Sequence, residues 1–300
     1  MMYSGLLIIL LPLIVGYLVP LRAKKALRSI NRLQCWMVYV ILFLMGISLA
    51  FLENLGSNLL LIFRYVAVFF ACIIAANAVA LWLWGKHDVW VGKLRQEAPP
   101  SRLHMLLDSL TLCLVVFGGF VLGLSQWPGL AYASQGSEYA LILLLFFVGV
   151  QLRNSGMTLR QIVLNRRGAA VALVIGSSAL VGGLIAAWVL GLPLTTGLAM
   201  ASGYGWYSLS GILLTDAFGP VIGSAAFFND LARELLAITL IPTLAQRNLA
   251  YALGLCGATS MDFTLPVLQR SAGVEMVPAA IVHGFLLSLA TPILMAVFLS

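Results

Sequence analysis

The stretch FFNDLARELLAITLIP, residues 227–242, decides how this chain is read. It is long and apolar, yet Asp230, Arg233 and Glu234 sit near its middle with Asn229 beside them. In a soluble helix these would be ordinary surface side chains. The rest of the sequence argues against that. Of 300 residues, 62% are hydrophobic and 9% charged, with a mean hydropathy of +1.04, whereas a soluble domain carries about a quarter charged residues. Apolar runs recur along the whole length, each close to the roughly 17 to 25 residues that cross a bilayer. In lipid only helices and closed barrels satisfy the backbone, and these runs are continuous rather than alternating. The expected fold is an all-α polytopic integral membrane protein.

Ten apolar segments stand out, at about 3–20, 36–52, 63–84, 110–127, 139–152, 169–190, 193–214, 220–244, 250–268 and 277–299. Of the 17 Lys and Arg, 13 lie in three connections, 22–32, 86–102 and 153–167. That clustering is the positive-inside signature, and it accounts for the net charge of +7 without a nucleic acid partner. With the basic connections in the cytoplasm, both termini fall outside, and Arg247 is the one cation on the wrong side. Two segments read as broken or re-entrant, so eight full spans with two partial ones give the same ends.

No linker or soluble module interrupts the chain, which reads as one transporter domain over 1–300. Its N-terminal half is 1–130, and its C-terminal half, 131–300, carries the expected substrate site. VILFLMGISL (40–49) resembles LLLFFVGVQL (143–152), and GLAMAS (197–202) echoes GLCGAT (254–259). Matching segments of opposite direction are what inverted repeats produce, a common plan in secondary transporters.

A helix over 220–244 is about 37 Å long at about 1.5 Å per residue, which puts Glu234 near its midpoint. Charged residues there cost about 2.5–3.5 kcal/mol each on insertion scales and face a bundle interior or aqueous cavity. Spacing of three and four puts Asp230, Arg233 and Glu234 on one helix face. An Asp230–Arg233 pair that fixes packing is the plainer account of those two. One arginine cannot neutralise two carboxylates, which leaves Glu234 as the transport candidate.

Two further segments are irregular. ALGLCGATSMDFTLPVLQ (252–269) combines Gly254, Gly257 and Pro266 with Thr259, Ser260 and Asp262. Glycine costs about 1 kcal/mol and proline about 3 kcal/mol inside a helix. Unwinding is therefore expected, at a depth where it is tolerated only beside a cavity. ASGYGWYSLSGILL (201–214) brackets Tyr204 with Gly203 and Gly205, followed by Ser208 and Ser210. It reads as a second broken helix or as close packing through small residues. His283 reads as a hydrogen-bonded packing residue. Cys35, Cys72, Cys113 and Cys256 are scattered, with no C-x-x-C pair.

Metalloprotease, nucleophile-elbow and nucleotide motifs are all lacking. The expectation is therefore no enzyme, no cofactor, no metal site, and transport driven by an ion gradient. Small-residue patches are compatible with a homodimer without establishing one.

With these residues in view, a family resemblance emerges. LQCWMVYVILFLMGISLAFLENL (33–55), LILLLFFVGVQLRNSGMTLRQIVLNRRG (141–168), MASGYGWYSLSGILLTDAFGPVIGSAAFFNDLAREL (200–235) and LGLCGATSMDFTLPVLQRSAG (253–273) resemble the bacterial lysine exporter LysO family. The resemblance implies an inner-membrane exporter of L-lysine and of toxic analogues such as thialysine, with crossed, broken helices. It maps the family's intramembrane acids onto Glu234 and Asp262. Moving a cation out against a negative-inside potential costs about 2.3 kcal/mol per charge per 100 mV, which favours exchange for a proton. The rival readings are an Na⁺/H⁺ antiporter, an exporter of another cationic amino acid, and a membrane sensor that transports nothing.

Overall fold

A computed structural model describes residues 11–12, 14–20, 24–51, 55–86, 90, 102–154, 165–261 and 263–299. It is helical throughout, with no strand among the described residues. The long helices are α1 (Lys24–Ala50), α2 (Leu55–Gly85), α3 (Arg102–Gly123), α4 (Ala133–Asn154) and α5 (Arg166–Leu190). Then come the short α6 (Leu194–Ala201) and α7 (Tyr207–Phe218), followed by the long α8 (Pro220–Ala245). Last are the short α9 (Leu249–Cys256) and α10 (Leu265–Ala272), and the long α11 (Val277–Phe298). Asn58–Gly85, Arg166–Leu190 and Val277–Phe298 are long and apolar enough to cross a membrane, and shorter apolar helices accompany them. The outer surface is greasy, with Phe63, Trp82, Leu173 and Trp188 exposed. A contiguous apolar surface of this kind belongs in lipid rather than water.

Small residues set the helix spacing, as expected where lipid supplies no hydrophobic drive between helices. Gly46 and Gly119 bring α1 and α3 together on the backbones of Val116 and Phe43, and Gly182 of α5 rests on α2 at Ile73.

Residues at the described edges of the three basic connections mark one basic face. Asn154 donates to the Val19 carbonyl at 3.3 Å, and Arg167 lies 5.2 Å from the Trp90 ring centroid. From that face α5 crosses to Gly191, and α6 turns back with Gly197 against Gly183. The chain unwinds at 202–206, and α7 forms a hairpin with α8 around Gly219, where Gly211 and Gly223 touch. The far end of α8 lies on the basic face: the Leu249 amide donates to the Trp90 carbonyl at 2.8 Å, and Gly85 abuts Tyr251. Since α8 ends there, α7 must have returned to the face opposite. The pair α6–α7 is therefore a re-entrant hairpin and not a crossing.

The same logic applies to α9 and α10. The helix α9 enters from the basic face with Gly254 against Leu81 and Ile175. The chain passes through the 3-10 turn Gly257–Met261 into α10, and α11 starts again on the basic face, where Ala279 meets Gly168. The expected broken segments are both present. Each turns back, so among the described residues from 165 onward α5, α8 and α11 cross and the two broken segments form hairpins. Arg247 thereby joins the other cations on the basic face instead of standing alone.

Candidate functional site

The two hairpins enter from opposite faces and meet at their unwound tips. The Ala258 amide donates to the Tyr204 carbonyl at 2.9 Å. The approach is close enough that a Cβ on Gly257 would overlap the Tyr204 carbonyl oxygen and crowd the Arg233 guanidinium. Gly257 has φ of +61°, and Tyr204, a residue with a side chain, has φ of +50°. Strained positions of this kind persist only where the surroundings hold them, and they concentrate at functional sites.

The α8 charges lie against this crossing, each of them buried. Asp230 accepts from the Ser210 hydroxyl at 2.6 Å, the Gly205 amide at 3.2 Å and the Asn229 side chain at 3.2 Å. Gly203 is packed so closely that a Cβ there would overlap the Asp230 carboxylate. The carboxylate thus faces the start of α7, where unpaired N–H groups and the helix dipole favour an anion. Arg233 donates from Nη2 to the Gly254 carbonyl at 3.0 Å and from Nε to the Leu255 carbonyl at 3.2 Å. Those carbonyls belong to the last turn of α9, the negative end of a half-helix. One turn of α8 therefore carries an anion for one broken helix and a cation for the other. Each side chain hydrogen-bonds a different hairpin, while the two charges of the expected Asp230–Arg233 pair still attract one another along α8.

The other expected site residues divide. Gly203, Tyr204, Gly205 and Asn229 gather at the crossing. The Tyr204 hydroxyl reaches the Gly176 carbonyl of α5 at 3.2 Å. Ser208 is buried in the first turn of α7, but Ser210 holds Asp230. Thr259 and Ser260 hold the second break together, Thr259 donating to the Cys256 carbonyl at 2.8 Å and Ser260 to the Ala280 carbonyl at 2.9 Å. His283 bonds the Ser260 hydroxyl through Nδ1 at 2.9 Å. Glu234 is buried on α8, one residue past Arg233. Asp262 lies outside the described residues.

A small cavity of about 10 Å³, close to the space of one water, opens beside this cluster. Its polar wall is Asn229, Asp230 and Arg233, and its apolar wall is Ala201 with Phe70, Ile73 and Ile74 of α2. The α2 wall escaped sequence reasoning because apolar residues in an apolar run carry no signal.

Interrupted helices that cross at a buried charge cluster define the class: a polytopic membrane transporter. A family profile described as Lysine exporter LysO matches residues 113–299. The chain is 65% identical over 297 residues to the Lysine exporter LysO of Escherichia coli (strain K12), covering 99% of both chains. It is 46% identical over 182 residues to a Putative lysine exporter of Haemophilus influenzae (strain ATCC 51907 / DSM 11121 / KW20 / Rd), covering 61% of this chain and 93% of that one. The chain belongs to the lysine exporter LysO family.

Proposed function

We propose that this protein exports L-lysine and analogues such as thialysine across the bacterial inner membrane in exchange for protons. The observation that carries the reading is the buried acid cluster on α8 at the crossing of two hairpins, in a chain of this family. Lysine has two amines and one carboxylate. Its ammonium groups need anionic partners, for which Glu234 and Asp262 are suited. Its carboxylate needs donors, for which Arg233 and the amides of the unwound segments are suited. A carboxylate that is alternately desolvated and paired with an ammonium releases its proton as substrate arrives. Substrate and proton then compete for one group, and exchange follows. The basic face is cytoplasmic in this reading, so both termini are periplasmic, and the C-terminal half 131–300 supplies the charged part of the site.

Counterflow of labelled lysine in proteoliposomes tests this directly. Uptake should be trans-stimulated by lysine and accelerated by a pH gradient of the right sign. Counterflow that ignores the gradient would remove proton exchange while leaving lysine transport standing. Competition by Na⁺, arginine or ornithine separates the rival carriers, and no counterflow at all leaves the sensor.

A further inference from the structure

Asn77 of α2 is buried, 4% exposed, in an otherwise apolar helix. Its Oδ1 accepts from the Ser178 hydroxyl of α5 at 2.7 Å, and its Nδ2 is without a partner. An unmet buried donor costs about 1–3 kcal/mol, more than a residue serving only to join two helices would need to incur.

Its place in the fold gives the donor a use. Asn77 lies four and three residues after Ile73 and Ile74, so it continues the helix face that walls the cavity. On the same helix Leu81 touches Gly254, whose carbonyl receives Arg233. Asn77 is therefore flanked along α2 by the cavity on one side and the Arg233 anchor on the other. On the cavity wall itself, Asn229 presents the opposite deficit: its Nδ2 is spent on Asp230, and its Oδ1 has no partner. One turn beyond the cavity α2 lacks an acceptor, and at the cavity α8 lacks a donor.

We infer that Asn77 is a specificity residue that donates, together with Arg233, to the carboxylate of an α-amino acid, while Asn229 and Asp230 receive the adjacent ammonium and leave Glu234 and Asp262 to the side-chain ammonium and the proton. A zwitterionic head group supplies an acceptor and a donor on neighbouring atoms and satisfies both orphaned amides at once. At about 10 Å³ the cavity is too small for the head group, which enters when the α2 wall moves away from α8, and Asn77 moves with that wall. This inference rests on the lysine-export reading.

The test is competition against labelled lysine counterflow in proteoliposomes of the full chain. The competitors are unlabelled lysine and 1,5-diaminopentane, which keeps both amines and lacks the carboxylate. Wild type should favour lysine at least tenfold. Asn77→Ala should weaken lysine about tenfold and leave the diamine unchanged, so that the preference collapses. Ser178→Ala, which frees the amide from its anchor, should do the same to a smaller degree. It decides the matter on its own if Asn77→Ala does not reach the membrane. Equal weakening of both competitors, or no change in their ratio, would overturn the role of Asn77 while lysine export stands. Absence of lysine counterflow in wild type would instead remove the export reading, and this inference with it.

Discussion

At the scale of single residues, Arg233 and Asp230 each hold a different hairpin. The Arg233 guanidinium supplies two charged donors to carbonyls that have no other partner within α9. Such bonds contribute about 1.5–3 kcal/mol each, so Arg233→Met should cost about 3–6 kcal/mol and sharply reduce folded protein, read by fluorescence-detected size exclusion. Asp230→Asn keeps an acceptor for the Gly205 amide and should cost about 1–2 kcal/mol. Because the two bond separate hairpins, neutralising both should not restore what the loss of Arg233 takes away. Recovery of folded protein in the double variant would restore the simple pair. Glu234→Gln and Asp262→Asn should insert at wild-type abundance and abolish thialysine resistance, since an amide preserves size but cannot titrate. Normal resistance in both, at equal abundance on immunoblot, would remove them from transport.

At the scale of elements, the hairpin tips are set by glycine. Gly257→Ala combines a positive φ with overlap on the Tyr204 carbonyl and should cost about 2–5 kcal/mol. Gly56→Ala, with open space around its Cα, should be neutral in the same thermal-shift assay. The breaks were legible in the sequence because Gly203, Gly205, Gly257 and Pro266 oppose helix so strongly. The reversal of direction was not, because an apolar segment reads the same whether it crosses or turns back; only its contacts, such as Leu249 with Trp90, tell. The charge cluster was legible through its insertion cost, but not its division between two hairpins, which depends on where Gly205 and Gly254 come to lie. Asn77 did carry a signal, a lone amide in an apolar run, easily passed over beside three charges.

For the whole molecule, two hairpins in place of two crossings predict a labelling pattern that ten full crossings do not. In a cysteine-free background, cysteines placed at Asp216 and Leu192 should react with an impermeant maleimide from outside the cell. Cysteine at Arg247 should react only after permeabilisation. Labelling of Arg247→Cys from outside would restore a full crossing by α9–α10. A reporter fused after Ser300 should be periplasmic, and its cytoplasmic activity would overturn the even number of crossings.

The position of Arg233 between its partners has a consequence for how the chain is made. Asp230 emerges after α7, so its donors are already present when it arrives. Arg233 emerges before α9, and Cys256 lies 23 positions further along the chain. At the roughly 5–20 residues per second of protein synthesis, its guanidinium waits roughly 1–5 s without the carbonyls that will receive it. Over that interval the nascent α8 holds a cation that lipid rejects. Its lateral release from the translocon should therefore be delayed until α9 has been made. Chains truncated after Ala245 should remain crosslinkable to the translocon or be degraded, whereas chains extended through Ala272 should partition into the bilayer.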